Sequence, residues 1–491
     1  MLTVDGLRAD YVDRWLGQMT GGLGRLFREG AYFPVAVHDH AITATAPGHA
    51  TIGSGRFPGS TGIRSNAEGV GSRSFPLIAG IGIGAGPEDF RGTTLADWMI
   101  AHDRRTRVFS ASYKDRAAIL PVGRSAANVY WYSGGGLFTT STYYRQELPA
   151  WVDSFNARGL PREYAGRTWT LLLPESEYPE PDSVPTENLG GGFAFPHTAD
   201  DLPRYVPTLL RATPWADELT LQFALAGVRA LDIGTGPQVD FMSVSLSGTD
   251  LVGHTYGPDS REVHDQIMRL DRKLGEFLDS LFAIVGEQRV LIALTGDHGF
   301  ASLGAAPARP GIADVFRIST TALLAPIRAG LTKRDIDPFA VQIDFGMVHV
   351  DREALIRAGI DPDSLVREVA TRALSTPGIE RADRPSDLAK VDTIGDHVAR
   401  RWVHTLGSEH TVPLVLTTKY GSFWSGTGDA NHGSPHSYDV QVPLLFHGRP
   451  FVQRRISDQV RVVDLAPTIA RALGVTPMER LDGVTLNAAL R

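Results

Sequence analysis

Short apolar runs that stop at a polar residue recur along the chain: Leu2 to Val4 before Asp5, Val108 to Tyr113 before Lys114, Phe241 to Leu246 before Asp250, Val290 to Leu294 before Asp297, and Val442 to Phe446 before His447. Their length and their β-branched and aromatic content predict strands covered on both faces, as in a mainly parallel sheet. Elsewhere the period changes. Val263, Ile267, Leu270, Leu274, Phe277/Leu278 and Leu281 recur at steps of three and four, which predicts an amphipathic helix entered through a capping box of Asp259 and Glu262. This alternation predicts an α/β fold with a mainly parallel central sheet and helices on both faces. In such sheets ligands gather at the carboxyl ends of the strands, where the polar residues just named fall.

Two stretches interrupt the alternation: approximately 130–235, with the turn Ser133-Gly134-Gly135-Gly136 and the Pro/Glu-rich Pro174 to Pro185, and approximately 303–430. Both read as insertions that cap the sheet of one catalytic domain spanning 1–491, although a chain of 491 residues would accommodate about three units of ordinary size. The glycine-rich segment Gly80 to Gly86 follows Ser74-Phe75-Pro76 and runs into Pro87. A dinucleotide-binding turn needs a strand before it and a helix after it, so this segment reads as a surface loop.

Composition narrows the chemistry. With 42% hydrophobic and 21% charged residues the chain is an ordinary globular protein, and a formal net charge of −7 gives no general attraction to nucleic acid or to an anionic membrane. No apolar run reaches the roughly 18 residues of a spanning helix, and Met1-Leu2-Thr3-Val4-Asp5 lacks the basic head and apolar core of a signal peptide. Leu2 to Val4 resembles the tail of a buried strand, from which we expect upstream residues, a leader among them. Cysteine is absent, which excludes disulfides, thiolate metal sites, a cysteine nucleophile and a cysteine-derived formylglycine. A transition-metal site would therefore rest on His, Asp and Glu. Lysine occurs only at positions 114, 273, 333, 390 and 419, so a lysine at a strand end invites scrutiny.

Five motifs carry candidate chemistry, and each has an ordinary reading beside the functional one. Asp5-Gly6 is a turn or an acid at a strand end. Asp250 and His254, four residues apart, meet a common ion if the segment makes one helical turn. Asp297-His298, flanked by Gly296 and Gly299, sets an acid and an imidazole side by side on a backbone that glycine lets bend sharply. Asn431-His432-Gly433-Ser434-Pro435-His436 offers two loop histidines, either of which could be a ligand. Thr45-Ala46-Pro47-Gly48-His49 places a hydroxyl at a helix start, where it is either an N-cap or a nucleophile beside free backbone N–H groups suited to an anion. Together these motifs supply an oxygen and nitrogen donor set of the kind that holds Zn²⁺. Two such ions could activate a nucleophile and stabilise a leaving oxygen.

The order Asp5, Thr45, Asp250/His254, Asp297/His298, His432 resembles the alkaline phosphatase superfamily, in the branch that uses a threonine nucleophile and includes nucleotide pyrophosphatases/phosphodiesterases. The resemblance implies two zinc ions per chain, one held by Asp250, His254 and His432, the other by Asp5, Asp297, His298 and the Thr45 hydroxyl. The family's His-Gly-Ser-Pro wording selects His432 over His436, and His49 falls in its Pro-Gly-His signature. Lys114-Asp115-Arg116 resembles the Lys-x-Arg element of phosphate-irrepressible alkaline phosphatases, and Asn66 their phosphate-contacting asparagine. These imply hydrolysis of small-molecule phosphate monoesters through a phosphothreonine at Thr45, with Asn66, Lys114 and Arg116 on the phosphoryl oxygens. The alternative is a phosphodiesterase or nucleotide pyrophosphatase with the same metal site. Kinship also implies a periplasmic or envelope location.

Overall fold

The five apolar runs lie side by side in one sheet. Strand β1 (Leu2–Val4) pairs in parallel with β6 (Phe241–Leu246) on one side and with β7 (Ile292–Thr295) on the other. Strand β3 (Val108–Ser112) runs parallel to β6, and β4 (Asn128–Tyr132) parallel to β3. A two-residue strand, β5 (Phe138–Thr139), follows antiparallel. On the opposite flank β12 (Gln441–His447) inserts between β7 and β2 (Ala31–Val37), and β2 also pairs with β13 (Arg454–Arg455) and β14 (Val460–Arg461). The spatial order is β13-β2-β12-β7-β1-β6-β3-β4-β5, with β14 beside β2, ten strands in all. This computed structural model describes residues 1–185, 187, 193–198, 210, 213–302, 315–388, 390–408, 411–425 and 430–491, so parts of both expected insertions lie outside the described residues.

The sheet is parallel at its centre and mixed at its flanks. β12 runs antiparallel to both neighbours, unlike the other four apolar runs, because an apolar run encodes cover on two faces but not direction. Tyr113, Val290 and Leu291 fall outside the strands they were expected to join. Alternate side chains feed two cores. Leu2, Val4, Phe109, Val244, Leu246, Ile292 and Leu294 pack on one face, beneath α1 (Gly22–Glu29), α4 (Trp215–Ala230) and α6 (Arg261–Val285). Val108, Phe241, Ala293, Val442, Leu444 and Phe446 pack on the other, beneath α2 (Thr45–Ser54) and α7 (Leu465–Leu473).

The expected apolar face of α6 is buried, but its cap differs. Ser260 is the N-cap and its hydroxyl accepts from Val263 N at 3.2 Å, while Asp259 instead pairs with Arg8 and Arg14. The edges of the first expected insertion belong to the main layers, since β4, β5 and α4 are built from it. Within the second, β8 (Val341–Asp344), β9 (Met347–Val350), β10 (Ile379–Asp383) and β11 (Leu414–Thr418) form a separate antiparallel sheet in the order β8-β9-β11-β10. Leu324, Val341, Val348, Val369 and Leu416 fill its own core. Ile81 and Ile83 stand exposed in the glycine-rich loop. Among the described residues no helix is long and apolar enough to cross a membrane.

Candidate active site

Three strand ends deliver the acids. Asp5 follows β1, Asp297 and His298 follow β7, and the loop after β6 opens at once into α5 (Gly248–Tyr256), which carries Asp250 and His254 one turn apart. The Asp5-Gly6 corner needs its glycine: φ at Gly6 is +74°, its N–H donates to Asp297 Oδ1 at 3.1 Å, and a Cβ there would lie 3.2 Å from the Asp250 backbone. Helix α2 approaches through Gly48, where a Cβ would come within 2.3 Å of the Asp297 carbonyl oxygen. That contact seats Thr45, the first residue of α2, beside the strand ends, with Ala44 as the N-cap rather than Thr45.

Side chains from four distant segments converge, all buried except His254, which is partly exposed. His298 Nε2 lies 3.3 Å from Asp5 Oδ1, 3.6 Å from Asp297 Oδ2 and 3.9 Å from Asp250 Oδ1. Around Asp250 Oδ1, His254 Nε2 stands at 3.3 Å and His432 Nε2 at 3.6 Å. The imidazoles share one orientation: Nδ1 faces a backbone carbonyl, Ala430 O at 3.0 Å for His254, Gly299 O at 2.9 Å for His298 and Thr43 O at 2.8 Å for His432. A carbonyl only accepts, so Nδ1 carries a proton in each, and Nε2, the atom left for a metal, turns toward the carboxylates. This arrangement is the one that presents histidine to a metal.

The polar bookkeeping agrees. Asp5 Oδ1, Asp250 Oδ1 and His298 Nε2 are buried with no hydrogen bond, and Asp5 Oδ2 and Asp297 Oδ2 meet only the ion-pair contacts of Lys114 and His49. Buried polar atoms are seldom left so, and a cation is the partner that suits this donor set. Two overlapping groups, Asp250/His298/His432 and Asp5/Asp297/His298, each keep their donor atoms within 4.8 Å of one another. Burial disfavours charge on Asp250 and Asp297, yet both are held well below the ordinary carboxylate range by Lys114 and the neighbouring histidines. His298 is pushed up to about 9, because Asp297, Asp5 and Asp250 outweigh its burial. His432 is driven well below its usual value, by burial first and His298 second. The three carboxylates thus draw positive charge into the pocket, and a divalent cation meets the same demand.

Lys114 caps the short α3 (Asp115–Ile119), and its Nζ reaches Asp5 Oδ2 at 2.7 Å, the Asp250 carboxylate, and Thr45 Oγ1 at 3.5 Å. Burial opposes its charge, but Asp250 and Asp5 prevail and raise its pKa. Arg116 lies inside α3, not on an extended strand. The two cations therefore do not share a face by strand pleat, and Arg116 pairs with Asp115 at 3.6 Å. Asn66 Oδ1 accepts from Ala46 N at 2.9 Å, which fixes its carboxamide at the start of α2 and leaves Nδ2 as the donor to offer. His49 bridges Thr45 O, Ser245 Oγ and Asp297 Oδ2 at 2.8, 2.8 and 3.2 Å, so it braces the pocket from behind. His436 is turned away, onto Thr418 O at 2.7 Å in the second sheet.

Sequence reasoning missed two buried acids that hold this frame. Asp217 on α4 accepts from Gly248 N at 2.7 Å and from Gln266 Nε2 at 2.8 Å, anchoring the start of α5. Asp439 accepts from Ser434 N at 2.8 Å and Ser434 Oγ at 2.6 Å, while its carbonyl accepts from Gly299 N at 2.7 Å, tying the His432 loop to the His298 loop. In sequence Asp217 resembles any acid in the first turn of an amphipathic helix. Asp439 precedes its apolar strand instead of ending one, so it lacked the signal that singled out Asp5.

Residues 1–308 match the profile of the family described as type I phosphodiesterase / nucleotide pyrophosphatase. The chain is 30% identical to the alkaline phosphatase PafA of Elizabethkingia meningoseptica over 96% of its own length and 91% of that protein. It is 28% identical to the alkaline phosphatase PhoV of Synechococcus elongatus, over 96% and 89% respectively. The crystal structure of wild-type alkaline phosphatase PafA superposes with a TM-score of 0.90 at 28% identity, covering 100% of this chain and 98% of that one. With a matched profile across more than half its residues and a buried acid–histidine pocket at the strand ends, the chain belongs to the type I phosphodiesterase/nucleotide pyrophosphatase family.

Proposed function

We propose that the chain is a metal-dependent phosphate monoester hydrolase of the alkaline phosphatase kind, with Thr45 as the nucleophile. Asp250, His254 and His432 would hold one Zn²⁺, and Asp5, Asp297, His298 and Thr45 Oγ1 the other, a donor set favoured by the buried carboxylate oxygens that lack hydrogen bonds and by the inward-facing Nε2 atoms. When bound, the two ions supply Lewis acidity that lowers the pKa of the attacking hydroxyl and favours departure of the leaving oxygen.

The chain's own residues do the rest. Thr45 Oγ1 attacks phosphorus, the bond to the ester oxygen breaks and the alcohol departs, leaving a phosphothreonine. Water then attacks the same phosphorus, inorganic phosphate leaves and the hydroxyl is restored. The Asn66 amide Nδ2 and the Lys114 ammonium stand where they can receive the nonbridging oxygens as charge redistributes, with Arg116 in the first turn of the short helix that Lys114 caps; Ala46 N and Gly48 N are already bonded, to Asn66 Oδ1 and Ala44 O.

One observation carries the choice of ester: Lys114 Nζ stands 3.5 Å from Thr45 Oγ1, so a full positive charge faces the transferred group. A monoester presents a dianion and gains more from that charge than a diester does. The names of the relatives support the same reading. A periplasmic or envelope location belongs to this proposal by kinship. The test is kcat/KM for an aryl phosphate monoester and an aryl phosphate diester with the zinc-loaded enzyme. A clear monoester preference is expected, and a diester preference would transfer the assignment to the phosphodiesterase reading.

A further inference from the structure

The turn that joins β8 to β9 breaks a local rule. Asp344 pairs with Met347, so Phe345 and Gly346 alone make the connection, and their φ values are +44° and +91°. Two positive values define a type I′ turn, whose first position favours Asn, Asp or Gly. A phenylalanine there is strained, since a bulky side chain rarely adopts left-handed backbone. Such a conflict between sequence and backbone persists where the surroundings enforce it, and it tends to mark functional sites.

The surroundings here are the His432 loop. The Phe345 ring lies nearly parallel to the His432 imidazole, 21° between planes and 6.4 Å between centroids. Gly433 has no side chain to interfere: a Cβ there would come 2.2 Å from Phe345 Cδ1 and 2.4 Å from Cε1, and its φ of +108° itself favours glycine. On its other sides His432 meets the rings of His298, Phe300 and His254 at 3.6, 5.3 and 5.2 Å. The preceding side chain, Asp344 at the end of β8, interacts with Ser65, the neighbour of Asn66. One hairpin tip of the second sheet therefore touches both the His432 loop and the segment that presents Asn66.

A hydrogen bond from Nδ1 to Thr43 O pins one atom of the His432 imidazole but leaves the ring free to swing about that axis. The stacked His298 ring limits that swing, and the nearly parallel Phe345 ring narrows it further, holding Nε2 on one line. We propose that Phe345 is a positioning residue for His432, and that through it the second sheet sets the metal affinity of the Asp250/His254/His432 site. This rests on the metal assignment given under Proposed function.

The test uses the full chain stripped of metal and titrated with Co²⁺, whose visible absorption reports coordination, and with Zn²⁺ against a competing chelator. Wild type should show two binding steps, and the step lost in His432→Ala is the one to follow. Phe345→Asn keeps a residue the turn favours and removes the ring. It should weaken that step about tenfold, the usual effect of losing a group that orients a metal ligand, and leave the other step within about twofold. Phe345→Tyr should restore the affinity, whereas Phe345→Leu, which refills volume without a planar ring, should not. Unchanged affinity in Phe345→Asn, or equal restoration by Leu and Tyr, overturns the proposal while leaving the metal assignment intact. Absence of both steps in wild type defeats the metal assignment, and the proposal with it. If Phe345→Asn does not fold, the comparison of Leu with Tyr decides.

Discussion

Asp217→Asn should stabilise the protein, and by an amount that depends on pH in a defined way. Asp217 is 1% exposed, and burial pushes its carboxyl up to about 7, against the opposing hydrogen bonds from Gly248 N and Gln266 Nε2. In the unfolded chain the same group loses its proton near its model value of 3.8. Between those limits the folded state keeps a proton that the unfolded state has released, so stability is complete below about 4 and falls as pH rises toward 7. The slope is about 1.4 kcal/mol per pH unit, and the total is on the order of 4 kcal/mol. Asparagine has nearly the same shape and no charge. Its oxygen can still accept from Gly248 N, and once the Gln266 amide turns over, its Nδ2 can donate to Gln266 Oε1, which is otherwise buried without a partner. Urea unfolding of both proteins at fixed zinc, from pH 4.5 to 8.5, should show an Asn advantage that grows up to about pH 7 and is flat beyond it. A difference that does not vary with pH, or an Asn variant less stable at pH 8, would refute the reasoning.

Three other outcomes follow from the same geometry. Thr45→Ala should reduce monoester turnover by roughly 10³-fold or more, while Thr45→Ser retains measurable turnover, and trapping at low pH should yield a phosphorylated chain only when a hydroxyl is present. Replacing Lys114 and Arg116 together by Ala should lower monoester kcat/KM by at least about 10²-fold and diester kcat/KM far less; unchanged monoester values would remove both residues from the substrate site. Gly48→Ala drives a methyl against the Asp297 carbonyl, 2.3 Å away, so Tm should fall by an amount equivalent to about 1–3 kcal/mol, with a matching loss of bound zinc by elemental analysis.

Much of this architecture is legible because its signals are local. The five apolar runs become five adjacent strands, and the acids that follow three of them meet in one pocket, since burial on two faces and a polar terminus can be read from a few residues each, whereas His447 ends an antiparallel strand beside Glu29. What is not legible depends on partners far away in the chain. The direction of β12 is one case, because a run such as Val442 to Phe446 is equally apolar in either orientation. The cap of α6 is another: Asp259 is drawn off by Arg8 and Arg14, more than 240 residues earlier, and Ser260 takes its place. Lys114 and Arg116 sit at the spacing of strand neighbours, yet the strand ends at Ser112 and a helical turn intervenes. The roles of Asp217, Asp439 and Phe345 emerge only from what their side chains touch, since their neighbourhoods in sequence are those of a helix start, a strand start and a hairpin.

The insertion of β12 between β2 and β7 also governs how the molecule can be assembled. Residues 31–37 and 292–295 flank a strand supplied by residues 441–447, so every shorter portion of the chain leaves two hydrogen-bonding rails unoccupied at the middle of the future sheet. Closing such distant pairings is slow, and open rails invite association with other chains. His432 arrives on the same late segment. Hydrolytic competence and a closed sheet are therefore acquired together during synthesis, and ribosome-bound chains halted before residue 432 should be both inactive and prone to aggregate.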